Sequence, residues 1–326
     1  MDYLFLLLGL GLLLAGANYL VDSSVAIAQR AKISNFIIGL TIVGMGTSSP
    51  ELFISVSSAL SGSGDLAMGN VIGSNIANIF LILGVTAAIV PFAVEKEQQR
   101  RDIPIGIGAA LLVMIIANDR LLPGLSENTL SRLDGIVLLL VFIGYIVSVV
   151  YNKGKNPVAA VEEADEEATT SLSRLAPWLL WTIAAVSLAA LIGGGQLFLT
   201  AAKSLAHQWG MSEAVIAITI VAIGTSLPEL ITAVIAALKK NPQLALGNVI
   251  GSCVFNLLMI LGVSATVSPM KLLCINLVDF AMMLFGSIML MVIVFTFGRN
   301  RFDRVEGVIF LLIYVAYTVY LLMRGA

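Results

Sequence analysis

A 45-residue segment of this 326-residue chain recurs, with substitutions, further along it. Positions 41–85 lie without a gap on positions 219–263, at a constant shift of 178, and 25 of the 45 pairs are identical. The first copy contains Gly46-Thr47-Ser48-Ser49-Pro50-Glu51, which returns as Gly224-Thr225-Ser226-Leu227-Pro228-Glu229. Further along, Gly69-Asn70-Val71-Ile72-Gly73-Ser74 returns as Gly247-Asn248-Val249-Ile250-Gly251-Ser252, and Asn78 is matched by Asn256. A weaker echo pairs Arg132-Leu133-Asp134-Gly135 with Arg304-Val305-Glu306-Gly307. Agreement at one fixed offset marks a duplication, so the fold must be built from two similar halves.

The solvent of those halves follows from composition. Hydrophobic residues make up 59% of the chain and charged residues 12%, against roughly 45–50% and 25% in soluble domains. Mean hydropathy is +1.00, more apolar surface than a water-soluble fold can hide. A helix needs about 20 apolar residues to cross the hydrocarbon core. Candidate spans are 3–29, 33–61, 66–91, 103–118 and 135–151, then 175–202, 213–238, 244–268, 280–297 and 307–323. The sequence therefore predicts an all-α membrane protein with ten transmembrane helices: one five-helix repeat over 1–151, an acidic linker over 152–174, and a second repeat over 175–326. Five is odd, so the second copy enters the membrane from the opposite side and a direct repeat becomes an inverted-topology repeat, an architecture of many secondary transporters. The linker carries Glu162, Glu163, Asp165, Glu166 and Glu167 and reads as a solvated connector rather than a calcium sensor. No basic segment precedes the first apolar run, so that run is expected to be a retained span rather than a cleaved signal.

Orientation follows from lysine and arginine. One set of loops holds Arg30, Lys32, Lys96, Arg100, Arg101, Lys153, Lys155, Arg174, Lys239, Lys240, Arg299, Arg301 and Arg304. The opposite set, with the C-terminus, holds Arg120, Arg132, Lys203, Lys271 and Arg324. Thirteen against five puts the first set in the cytoplasm and both termini outside. The expected location is the plasma membrane, the inner membrane of a bacterial cell. A monomer is compatible with the sequence, which leaves oligomeric state open.

Several chemistries are excluded early. Net charge is -2 with no basic tract, so nucleic acid is not an expected partner. Cys253 and Cys274 lie in or beside apolar runs and read as packing residues, and the single histidine, His207, cannot build a metal centre alone. No cofactor is expected.

What remains is oxygen chemistry at membrane depth. Glu51 is the one charge within 33–64, and Glu229 is similarly isolated within 214–238. An ionisable residue there costs about 2.5 kcal/mol or more and is a functional-site hypothesis by default. A lone glutamate could snorkel or sit protonated in a packed core; two at equivalent repeat positions argue against that. Pro50 and Pro228 precede the acids, and lacking an N–H they free the carbonyls of Gly46 and Gly224, which in lipid must find a partner. Thr47 and Glu51, like Thr225 and Glu229, are four apart and predicted to share a helix face. Ser48 and Ser226 add hydroxyls, and the next helix brings Ser74 and Asn78, with Ser252 and Asn256 as counterparts. Gly69 and Gly73, like Gly247 and Gly251, offer a small surface for close helix approach, while Asn70, Asn75 and Asn248 serve equally well as interhelical hydrogen-bond residues. An all-oxygen set suits hard cations. Two carboxylates, backbone carbonyls and water can supply the six to eight oxygens Ca²⁺ takes, whereas Mg²⁺ prefers to keep several waters.

The doubled Gly-Thr-Ser-x-Pro-Glu and Gly-Asn-x-x-Gly-Ser segments resemble the paired alpha repeats of the cation/calcium antiporter superfamily, and most closely its bacterial and archaeal sodium/calcium exchangers. The resemblance covers nearly the whole chain. It implies four cation sites in a diamond at mid-membrane, with Na⁺ and Ca²⁺ as transported substrates. By motif position it implies that Glu51 and Glu229 ligate calcium with backbone oxygens of Thr47 and Thr225. Flanking sodium sites would draw on Ser48, Ser74, Ser226 and Ser252 with carbonyls of Gly44 and Ala222, and Asn78 and Asn256 would line the middle site. Two features depart from relatives. Potassium-dependent members and some microbial ones carry Asp where this chain has Asn256, which argues against potassium co-transport. The linker is also too short for the calcium-sensing domains of animal exchangers. A proton/calcium antiporter stays open beside the sodium reading; a passive cation channel and an intramembrane hydrolase are weaker alternatives, the latter lacking a histidine partner or an Asp pair.

Overall fold

The chain is described here from a computed structural model covering residues 1–119, 128–153, 171–211, 222–273, 275, 277–296 and 301–325. Most of the acidic linker, Cys274, and the start of the second sequence copy at 219–221 lie outside the described residues. Twelve helices are numbered in chain order. They are α1 (Asp2–Ala31), α2 (Asn35–Thr47), α3 (Ser49–Leu60), α4 (Gly64–Ile89), α5 (Ile103–Ile116) and α6 (Arg132–Lys153), then α7 (Pro177–Gln208), α8 (Ala222–Thr225), α9 (Leu227–Leu238), α10 (Pro242–Val267), α11 (Leu277–Thr296) and α12 (Arg304–Gly325). Among the described residues seven helices are long and apolar enough to cross a membrane, and α2 with α3 makes an eighth span bent by 46°.

Two helices form the centre. The most apolar stretch of α10 is 94% buried and that of α4 72%, against 17–39% for α1, α6, α7, α11 and α12. The outer helices turn large apolar side chains outward, among them Leu7, Leu140, Trp181, Phe285 and Leu312. That pattern, polar in the middle and apolar at the rim, is tolerable only where the surroundings are hydrocarbon.

The two copies of the repeated sequence are interlocked rather than side by side. α6 packs on α10 where Gly135 faces Gly262, and α12 packs on α4 where Gly307 faces Gly84. Two short antiparallel ribbons follow the same exchange: β1 (Phe92–Ala93) pairs with β4 (Arg301–Phe302), and β2 (Asn128–Leu130) with β3 (Met270–Leu272). Sequence reading predicts helices alone; ribbons of two or three residues are too short for an alternating pattern to register. In both exchanges, a segment following one sequence copy binds a segment preceding the last helix of the other.

Close backbone approach fixes α2 against α10. A Cβ on Gly251 would stand 2.2 Å from the Leu40 carbonyl oxygen, and one on Gly247 2.2 Å from that of Phe36. The predicted small-residue surface is therefore in use on α10. For Gly69 and Gly73 the counterparts of Phe36 and Leu40 are Ala214 and Ile218, which lie outside the described residues.

Candidate functional site

Both glutamates sit in the first turn of a helix that follows a break. α2 ends at Thr47, Ser48 leaves helical geometry at φ −82°, ψ 8°, and α3 restarts with Pro50 in its first turn. The second copy repeats this: Ser226 has φ −89°, ψ 8° between α8 and α9, with Pro228 in the first turn. Proline fits an N-terminal turn, where its missing N–H is not needed. The break corrects one expectation: Thr47 and Glu51 do not share the face of one continuous helix, because the chain bends between them. The break leaves the Thr47 carbonyl at the C-terminal end of α2, where helix-end carbonyls lack intrahelical donors.

Glu51 and Glu229 are each 1% exposed and near enough for their charges to interact. Hydroxyls surround them. Ser48 Oγ donates to Glu229 Oε1 at 3.0 Å, and Ser74 Oγ to Glu51 Oε1 at 3.5 Å. Ser252 Oγ donates to the Gly44 carbonyl at 3.2 Å, and Thr47 Oγ1 lies 3.2 Å from Asn248 Oδ1. Three of these four contacts, from Ser48, Ser252 and Thr47, join one sequence copy to the other. Thr225, Ser226, Asn78 and Asn256 are buried in the same region. Ala222 opens α8, where its backbone alone is described.

The other buried acids show what is unusual here. Asp102 is held by Arg101 at 2.9 and 3.1 Å. Asp279 is held by Arg324 at 3.0 Å to both oxygens and by the Tyr317 hydroxyl at 2.9 Å. Glu51 and Glu229 are bonded to no Lys, Arg or His among the described residues. A buried charge without a partner is strongly unfavourable. Six of the eleven buried side-chain atoms lacking a hydrogen-bond partner among the described residues also gather here: Glu51 Oε2, Glu229 Oε2, Ser226 Oγ, Asn78 Oδ1, and Asn256 Oδ1 and Nδ2. All but the last amide nitrogen are oxygens with lone pairs to give. No cluster of three His, Cys, Asp or Glu residues occurs among the described residues, so a transition-metal centre of that kind is absent there.

Two features escaped sequence reasoning. Asn78 and Asn256 lie in π-helical turns, Ala77–Ile82 and Phe255–Ile260. Such turns often mark functional sites, and neither Gly nor Pro sits in them to announce one. Asn70 and Asn248, left open between two roles, are fasteners: Asn70 Nδ2 donates to the Glu51 carbonyl and Asn248 Nδ2 to that of Glu229, each at 3.3 Å.

Paired broken helices, each presenting a buried carboxylate to an oxygen-lined centre, define a membrane transporter of hard cations. Comparison with known proteins narrows the class. The sodium/calcium exchanger protein family matches residues 1–151 and 179–323. The chain is 32% identical to the sodium/calcium exchanger MaX1 of Methanosarcina acetivorans over 345 positions, covering 98% of each, and 34% identical to the inner membrane protein YrbG of Escherichia coli over 275 positions, covering 81% of this chain and 79% of that one. A solved structure of the sodium-calcium exchanger NCX_Mj superposes with a TM-score of 0.80 at 31% identity, covering 97% of this chain and 96% of the other. The chain belongs to the sodium/calcium exchanger family: it is a multi-pass membrane cation/calcium antiporter and not an enzyme.

Proposed function

We propose that this antiporter exchanges three Na⁺ for one Ca²⁺ by alternating access, in a ten-span fold of two inverted repeats, 1–151 and 175–326, joined by a cytoplasmic linker at 152–174. Both termini face outside the cell's plasma or inner membrane. The observation that carries the reading is the pair of buried carboxylates at Glu51 and Glu229, which among the described residues pair with no basic side chain and each keep an oxygen without a hydrogen-bond partner. Ca²⁺ takes these two carboxylates with the backbone oxygens of Thr47 and Thr225. Na⁺ takes the hydroxyls of Ser48, Ser74, Ser226 and Ser252 with the carbonyls of Gly44 and Ala222, while Asn78 and Asn256 line the middle position.

The charges explain coupling. With both acids ionised the centre carries two negative charges; one Ca²⁺ neutralises them, and three Na⁺ leave one positive charge in excess. Either loaded form crosses the apolar barrier more readily than the empty, doubly negative form, since moving bare charge through hydrocarbon is costly. The empty protein is thus held back and the two fluxes are tied together. Hydroxyl hydrogens rotate, so Ser48 and Ser252 can turn their lone pairs to an arriving ion while their protons leave Glu229 and the Gly44 carbonyl.

The test is purified protein in sodium-loaded vesicles. Calcium uptake should follow an outward sodium gradient and remain when the pH gradient is collapsed. Uptake driven by a pH gradient without sodium would replace sodium by protons as the coupling ion.

A further inference from the structure

A groove of about 460 Å³ runs along the outer face between α5 and α6, bordered by Arg100, Arg101, Pro104, Gly108, Leu112 and Val141. It exists because these successive helices pack elsewhere: α5 lies against α11, and α6 against α10. Gly108 deepens it, since a Cβ there would meet nothing within 4 Å among the described residues.

Polarity changes along the groove. Arginines stand at one end, and the rest of the wall is apolar. Arg101 is already engaged, by Glu97 at 2.6 Å and by Asp102. Arg100 is exposed and makes no ion pair among the described residues. Twelve residues of helical rise from Arg100 to Leu112 cover roughly 18 Å, more than half of the ~30 Å hydrocarbon core. The groove therefore starts where headgroups lie, on the arginine-rich side of the membrane, and ends at acyl-chain depth.

We propose that an anionic phospholipid occupies this groove, its phosphate on the Arg100 guanidinium and one acyl chain lying past Gly108 to Leu112. A cation at the headgroup level continuous with an apolar channel matches the chemistry of such a lipid end to end. A soluble anion would use the arginine and leave the channel unfilled; a zwitterionic lipid would fill the channel and gain less from the charge. The inference is independent of which ion drives calcium exchange, because its readout is bound lipid.

Native mass spectrometry of the full chain, purified in micelles with equal phosphatidylglycerol and phosphatidylcholine, tests it. The unmodified protein should retain one phosphatidylglycerol in preference to phosphatidylcholine. Arg100→Gln should lower that preference about fivefold, the effect of removing one cation near a lipid surface, and Arg100→Lys should keep it. Gly108→Leu should lower retention of both lipids by filling the channel, and Arg132→Gln, at the opposite end of α6, should change nothing. Unaltered lipid retention in Arg100→Gln, or an equal loss in Arg132→Gln, would overturn the proposal. Should Gly108→Leu not yield folded protein, the Arg100 pair of variants decides alone.

Discussion

Replacing Glu51 by Gln removes one charge and almost no volume, so it isolates electrostatics at the proposed calcium position. Two unit charges about 4 Å apart attract by roughly 4 kcal/mol at an effective dielectric near 20. A divalent ion doubles that, to about 8 kcal/mol. Dehydrating the ion consumes most of the gain. With a third surviving, calcium binding weakens by about 2.7 kcal/mol, or roughly 100-fold, and sodium binding by about 1.3 kcal/mol, or roughly tenfold. The amide oxygen can still accept from Ser74, so the Ser74 contact at 3.5 Å need not be lost. The assay is radiocalcium uptake into sodium-loaded vesicles at graded calcium and sodium, with size-exclusion chromatography confirming a folded protein. Half-saturation for calcium should rise about tenfold more than that for sodium, and Glu229→Gln should behave alike. Near-normal uptake by either folded variant would remove that glutamate from the ion site and sink the charge argument with it.

Two further outcomes follow from the same geometry. Three-for-one exchange moves one net charge, worth about 2.3 kcal/mol per 100 mV, so imposed voltage should shift calcium uptake while potassium, beyond its effect on voltage, does nothing; voltage-independent exchange would rule the stoichiometry out. Gly251→Ala places a Cβ 2.2 Å from the Leu40 carbonyl oxygen and should destabilise the protein by about 1–3 kcal/mol, whereas Gly144→Ala, with nothing within 4 Å among the described residues, should be neutral or slightly stabilising; equal melting temperatures for the two variants would refute the packing account.

Much of this fold was legible because lipid leaves a chain few options. Backbone groups must be satisfied within each span, so apolar runs mark helices, and an isolated glutamate such as Glu51 stands out against them. Duplication supplied a second reading of every motif. Features arising between segments were hidden. The ribbon of Phe92 with Phe302 joins residues 210 positions apart, and no local pattern encodes that pairing. The π-helical turns holding Asn78 and Asn256 insert an extra residue with no sequence marker. The helix break was half visible: Pro50 announced it, yet the four-residue spacing of Thr47 and Glu51 suggested a shared face that the 46° bend removes.

Near-identical motifs in the two copies make unequal bonds, and this inequality bears on how access alternates. Ser48 donates to Glu229 across the interface at 3.0 Å, while the hydroxyl of its counterpart Ser226 has no partner among the described residues. Ser252 bonds the Gly44 carbonyl, whereas Ser74 bonds the Glu51 carboxyl. Under the proposed alternating access, inverted repeats rock about a fixed site and expose it to one side and then the other, so the two halves would reach the opposite-facing state by exchanging conformations. In that state Ser226 should bond Glu51 and Ser48 should be released. A hydrogen bond to a charged group contributes about 1.5–3 kcal/mol, so deleting one hydroxyl should shift the balance between the two states at least tenfold. Ser48→Ala removes a bond present in the conformation described here and should depopulate it; Ser226→Ala should populate it further. Cysteines introduced on either side of the site and labelled from each face of the membrane in the absence of ions would report the two populations. Shifts in opposite directions are the expected result, and shifts in the same direction would show that the unequal bonds do not distinguish the two states.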